Sequence, residues 1–79
     1  MEYMNRIVRD RGICGGEAVF RGTRVTLRTV LASLAEGATV DEIVADFPTI
    51  SPEDVRAAIS FAAASAAEDL PTPGIPHFP

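Results

Sequence analysis

The sequence predicts a mostly α domain: a short N-terminal β-hairpin, then three helices with the form of a helix-turn-helix unit, then a disordered Pro-rich C-terminal tail. Three observations carry this prediction. Two short apolar runs flank a Gly-Gly pair ahead of residue 21, three stretches of helical periodicity follow with their own caps, and prolines crowd the last residues. Residues 1–69 are expected to form one domain and residues 70–79 the tail.

The hairpin comes first. Ile7 and Val8 supply one strand and Ala18-Val19-Phe20 the other. Gly15-Gly16 between them allows positive φ without a Cβ clash, as a tight reversal requires. Gly22 breaks the second strand, and Thr26 is placed to cap the helix that follows.

The first helix reads from Leu27, Val30, Leu31 and Leu34, one apolar stripe at i, i+3, i+4, i+7. Gly37 stops it in the left-handed conformation that a helix end favours. Thr39 and Glu42 form the capping box of the second helix, whose stripe is Val40, Ile43, Val44 and Phe47. Pro48 ends it, because the residue before a proline is pushed out of the α region.

Ser51 caps the third helix, Pro52 takes its first position, and Glu53 and Asp54 complement the dipole. Val55, Ala58, Ile59, Ala62 and Ala66 form the expected core stripe. At about 100° per residue, Ala57, Phe61 and Ala64 fall nearly opposite. Glu53, Arg56 and Ser60 fill a narrow polar arc between them. A helix apolar on two faces needs two surfaces to cover it. The body of the domain covers one face, and the other predicts a dimer interface of Ala57, Phe61 and Ala64.

Residues 68–79, EDLPTPGIPHFP, have no helical or strand periodicity. Prolines hold such a segment extended. Leu70, Ile75 and Phe78 are its candidate anchors on a partner protein.

A chain of 79 residues that is 47% hydrophobic and 6% aromatic builds its core from aliphatic side chains. So much apolar content in so small a domain points to cover from another chain. All seven basic residues are arginines. Six precede residue 29 and face three acids there, a local charge of +3; beyond it one arginine faces eight acids, a charge of −7. The halves are therefore suited to different partners. Arg21, Arg24 and Arg28, with Arg56 on the third helix, are the candidate nucleic-acid contacts, the hairpin arginines on phosphate. Glu53 and Asp54 sit where a recognition helix usually presents basic or amide side chains.

Catalysis and metal binding find little in these residues. Cys14 is the one thiol and His77, the one histidine, lies in the tail, so no nucleophile–base pair is implied. A structural zinc site needs about four Cys or His ligands. Cys14 reads instead as a small residue before the Gly-Gly turn. No cofactor is expected, and the single cysteine suits a reducing cytoplasm. No apolar signal segment precedes Ile7, and the longest apolar-rich run is too short to span a bilayer.

The motifs also carry a resemblance. Ile13-Cys14-Gly15-Gly16, Arg21-Gly22-Thr23-Arg24, Gly37 with Thr39 to Ile43, Phe47-Pro48, and Ser51 with Glu53-Asp54-Val55 occur in this order. From about Ile7 to Ala63 the chain resembles the domain-of-unknown-function family 433, many of whose members are labelled VapB-type antitoxins. The family often has Asp-Pro at Asp10-Arg11, so this chain adds a charge there; it often has Lys-Pro at Glu17-Ala18, where this chain removes one.

The resemblance implies a homeodomain-like helical fold with a small N-terminal β element. It also implies an antitoxin of a type II toxin–antitoxin pair that neutralises a PIN-like ribonuclease and autoregulates by binding operator DNA. With the helix-three surface, a cytoplasmic homodimer is expected. The rival expectations are a stand-alone DNA-binding regulator and a small dimeric interaction module.

Overall fold

In a computed structural model that describes residues 5–69, the chain is mostly helical with a small antiparallel sheet. Strand β1 (Ile7–Arg9) pairs with β2 (Ala18–Phe20), and helices α1 (Leu27–Ala35), α2 (Val40–Asp46) and α3 (Pro52–Asp69) follow. The register places Ile7 opposite Phe20, Val8 opposite Val19 and Arg9 opposite Ala18. The expected tail and its anchors Leu70, Ile75 and Phe78 lie outside the described residues.

The helix boundaries follow local chemistry. Thr26 accepts from the Thr29 amide at the start of α1. At its end Gly37 takes φ 96°, its amide donating to the Leu34 carbonyl and that of Ala38 to Ser33. Those crossed bonds form a Schellman motif and satisfy carbonyls that the last turn leaves open. The Thr39–Glu42 capping box is complete, with Thr39 N–H donating to Glu42 at 2.8 Å and Glu42 N–H to Thr39 Oγ1 at 3.1 Å. Phe47, held before Pro48, leaves the helical region at φ −126°, ψ 77°.

A second capping box opens α3, here with Asp in place of Glu. Asp54 N–H donates to Ser51 Oγ and Ser51 N–H to Asp54 Oδ2. Ile50 and Val55, both in the core, occupy the flanking positions of a hydrophobic staple. This arrangement fixes how the chain turns from α2 into α3.

The core lies where β2 and the three helices meet. Phe20, Val30, Ile43, Val55 and Ala58 are fully buried there, with Leu27 and Ile50 nearly so. Leu31, Leu34, Val40, Val44 and Phe47 pack around them, so the stripes expected for α1 and α2 face inward.

Helix α3 departs from expectation in its rotation. Ala57 is 0% exposed and Phe61 is half-buried against the core, whereas Ile59 is 46% exposed. Ala66 is exposed as well. The buried arc is centred about a quarter turn from the predicted stripe, on the side that holds Asp54, Ala58 and Phe61. Helices α1 and α2 carry the main packing against α3, and the hairpin side adds to it. Arg6, just before β1, bonds Asp54 at 3.2 Å, and Phe61 shares a groove with Ala18 of β2. Two layers therefore cover α3 from adjacent directions. Ala57 has no surface left to offer a second copy, which removes it from the expected dimer interface. Phe61 is largely committed to the chain's own core, and Ala64 is half-buried.

Candidate functional site

Two loops on the hairpin end of the domain come together. The first, residues 10–17, is longer than the tight reversal expected from Gly15-Gly16. Asp10 Oδ1 accepts the Gly12 amide at 2.8 Å, an Asx turn, and the Ile13 amide returns to the Asp10 carbonyl. Cys14–Gly16 then forms a single 3-10 turn with φ of 49° at Cys14, 66° at Gly15 and 86° at Gly16. Three successive residues with positive φ explain the two glycines, since L side chains rarely adopt that region. Cys14 adopts it nonetheless, and its thiol donates to the Arg24 carbonyl at 3.3 Å. The thiol thus joins the first loop to the second.

The second loop is Arg21-Gly22-Thr23-Arg24. The Phe20 amide donates to the Val25 carbonyl at 3.1 Å, and Val19 bridges Thr26, so the chain reverses on itself a second time. Gly22 takes the positive φ, 78°. Thr23 closes the turn, its hydroxyl donating to the Phe20 carbonyl at 2.8 Å and accepting from the Val25 amide at 3.1 Å. Arg21 and Arg24, both exposed, stand on either side of this cross-braced turn. The turn passes directly into the Thr26 cap, so it is anchored on one side by β2 and on the other by α1.

Beside this turn lies an open groove of about 720 Å³. Val25, Ile13 and Phe47 give it apolar walls, Arg24 stands among its lining residues, and Thr23, Thr29 and Thr49 add hydroxyls. The Thr26 hydroxyl donates to that of Thr29 at 2.7 Å.

The other predicted arginines are placed apart. Arg28 lines a separate groove of about 270 Å³ with Arg9, Glu17, Ala18, Leu27, Leu31 and Phe61, and faces Glu17 at 3.6 Å. That ion pair is exposed and contributes little to stability. Arg56 is exposed on α3, two residues beyond Asp54 and so about 160° around the helix from it. Asp54 touches Arg6, and the Arg21 amide bonds the Arg6 carbonyl at 2.8 Å, so Arg56 sits on a different side of α3 from the Arg6–Asp54 contact. The arrangement therefore gathers Arg21 and Arg24 and separates Arg28 and Arg56 from them.

Asp54 also changes the electrostatics of α3. Its carboxylate, 14% exposed, is shared between Arg6 and the Ser51 amide. Glu53 alone is left exposed among the two acids of the first turn. Sequence reasoning passed over this pair, the Cys14 bond and the role of Thr23. The Ser51-x-x-Asp54 spacing was a visible signal for the cap, but a contact between residues 6 and 54 leaves no local trace. Among the described residues no group of three His, Cys, Asp or Glu could hold a metal, and no helix is long and apolar enough to cross a membrane.

Residues 7–62 match the model of a protein family described as "Protein of unknown function (DUF433)". The chain is 40% identical over 53 residues to the uncharacterized protein y4eO of Sinorhizobium fredii (strain NBRC 101917 / NGR234). That alignment covers 67% of this chain and 24% of the relative, so the chain spans about a quarter of the relative's length. The crystal structure of a DUF433 member from Anabaena variabilis superposes with a TM-score of 0.70 at 33% identity, covering 81% of this chain and 63% of that one.

Proposed function

The chain belongs to the DUF433 family, and from this premise we propose that it is a cytoplasmic, non-enzymatic, antitoxin-like protein. In this reading it binds and neutralises a PIN-like ribonuclease and represses its own operon by binding DNA. The observation that carries the nucleic-acid half is the pair Arg21 and Arg24 on a turn held by both Thr23 and the Cys14 thiol. A held turn presents its cations without a large ordering cost on binding, and phosphate neutralisation supplies most of the affinity for DNA. The engagement of Asp54 by Arg6 supports it further, because it removes one of the two carboxylates that would repel phosphate at α3.

The homeodomain-like description belongs to this proposal. Helices α2 and α3, joined through residues 47–51, would then be the helix-turn-helix pair. In that case Arg56 reads bases while Arg21 and Arg24 hold the backbone, with Arg28 a secondary phosphate contact. The ribonuclease half assigns Leu70, Ile75 and Phe78 to the partner. The protein acts as a homodimer.

The test is paired. Arg21→Ala and Arg24→Ala should each weaken binding to operator DNA for all sequences and flatten the salt dependence by about one in the log–log slope. Arg56→Ala should alter sequence preference instead. Co-expression with the PIN-like ribonuclease of the same operon should give a complex that has lost ribonuclease activity. A protein that binds DNA but no ribonuclease is a stand-alone regulator; one that binds neither is an interaction module, and the proposal fails.

A further inference from the structure

The outer edge of β1 carries a pattern that the intrachain sheet does not use. In an antiparallel ladder, residues alternate between those that exchange both backbone bonds with the opposite strand and those that point both groups away. The Arg21 amide donates to the Arg6 carbonyl at 2.8 Å, which makes Arg6 and Arg21 a bonded pair. Two residues along, Val8 and Val19 are the next bonded pair. Ile7 and Arg9 therefore direct their N–H and C=O groups away from β2. The Phe20 amide, opposite Ile7 and bonded instead to Val25 on the far side of β2, obeys the same alternation. β2 is thus the inner strand, covered on one side by β1 and on the other by residues 25 and 26, while among the described residues nothing pairs with the outer edge of β1.

We propose that β1 of a second copy occupies this edge, antiparallel and centred on Val8, so that the two hairpins form one continuous sheet across a two-fold axis. This deepens the homodimer of the proposed function, on which it rests, by naming its surface. The register is self-complementary, as a two-fold contact requires. Ile7 of each copy exchanges backbone bonds with Arg9 of the other, and Val8 meets Val8 on the axis. One step outward, Arg6, which bonds Asp54 of its own chain at 3.2 Å, stands opposite Asp10 of the second copy, whose Oδ1 holds the Gly12 amide, so residues of opposite charge face each other at both ends of the pairing.

Arg9 meets its own counterpart only on the diagonal, and its guanidinium is drawn towards its own loop by the Gly16 carbonyl at 3.4 Å. On the face towards the core, Ile7 is already packed within its own chain. The contact therefore adds backbone bonds and the half-buried Val8 without exposing the core. A partner of unrelated sequence would have to supply this charge order, which a second copy holds by symmetry.

The test uses Arg9→Pro. The Arg9 amide takes no part in the intrachain ladder, so proline there removes an outward donor at a position an edge strand tolerates. Wild-type protein should sediment near twice the 8.4 kDa of one chain, and Arg9→Pro should sediment as a monomer with unchanged helical circular dichroism. In wild-type protein, the Ile7 and Arg9 amides should gain protection from hydrogen exchange as concentration rises. That measurement decides the matter if the proline variant does not fold. A dimer that survives Arg9→Pro, with both amides exchanging freely, overturns the strand pairing but leaves the homodimer standing and moves it to another face. A wild-type monomer at every concentration overturns both.

Discussion

Thr23→Val is the sharpest perturbation of the arginine turn. Valine keeps the branched shape and removes the hydroxyl alone. Two bonds disappear: the one donated to the Phe20 carbonyl at 2.8 Å and the one accepted from the Val25 amide at 3.1 Å. The Phe20 carbonyl retains the Thr23 amide at 3.0 Å, but among the described residues the Val25 amide keeps no other acceptor. A net bond is worth about 1 kcal/mol, and a stranded buried donor costs about 1–3 kcal/mol. Thr23 and Val25 are half-buried, so water recovers part of the loss. The expected cost is roughly 1–2 kcal/mol, or about 5–15 °C in melting temperature for a domain of this size. Thr23→Ser keeps the oxygen and should remain within about 0.5 kcal/mol of wild type. Thermal melts followed by circular dichroism at 222 nm read both variants. If valine melts with wild type, or serine falls as far as valine, the hydroxyl does not brace the turn and rigid presentation of Arg21 and Arg24 is refuted.

Other outcomes follow from the rotation of α3 and from its neighbours' caps. Phe61→Glu places a charge against the core and should cost on the order of 3 kcal/mol, while Ile59→Glu on the exposed arc should stay within about 0.5 kcal/mol; a urea titration that reverses this order would restore the originally expected orientation. Glu42 has its carboxyl held below the ordinary value of 4.5, first by the Thr39 backbone amide and then by the Thr39 hydroxyl. A lowered folded value means that its contribution is fully present above 4.5 and is lost as pH falls through the folded value. The stability gap between wild type and Glu42→Gln should therefore be flat at neutral pH and narrow in acid, and a gap that widens there would contradict the capping geometry. Thr39→Ala removes the other half of that box and should cost about 1 kcal/mol in the same titration.

What the sequence determined is what is decided within four residues. Thr26, Thr39 with Glu42, Ser51 and Gly37 each act on backbone groups one turn away, and Pro48 acts on its immediate neighbour, so their positions alone set the helix boundaries. The stripes of α1 and α2 were legible because leucine, isoleucine and valine mark one side unambiguously. In α3 most apolar positions are alanine, which costs little on either side, and Val55, Ile59 and Phe61 do not fall on one face.

Tertiary structure chose among those sides. Helices α1 and α2 pack onto α3 from directions that periodicity cannot supply, and an Arg6–Asp54 contact across 48 residues of chain ties α3 to the segment before β1. The same holds at the candidate site. Glycine predicted where the chain would bend, but only folding brought the Cys14 thiol to the Arg24 carbonyl and parted Arg56 from the hairpin arginines. Local hydrogen bonds compete with water residue by residue and leave their mark in the sequence. Packing of one layer on another depends on surfaces that do not exist until both have formed.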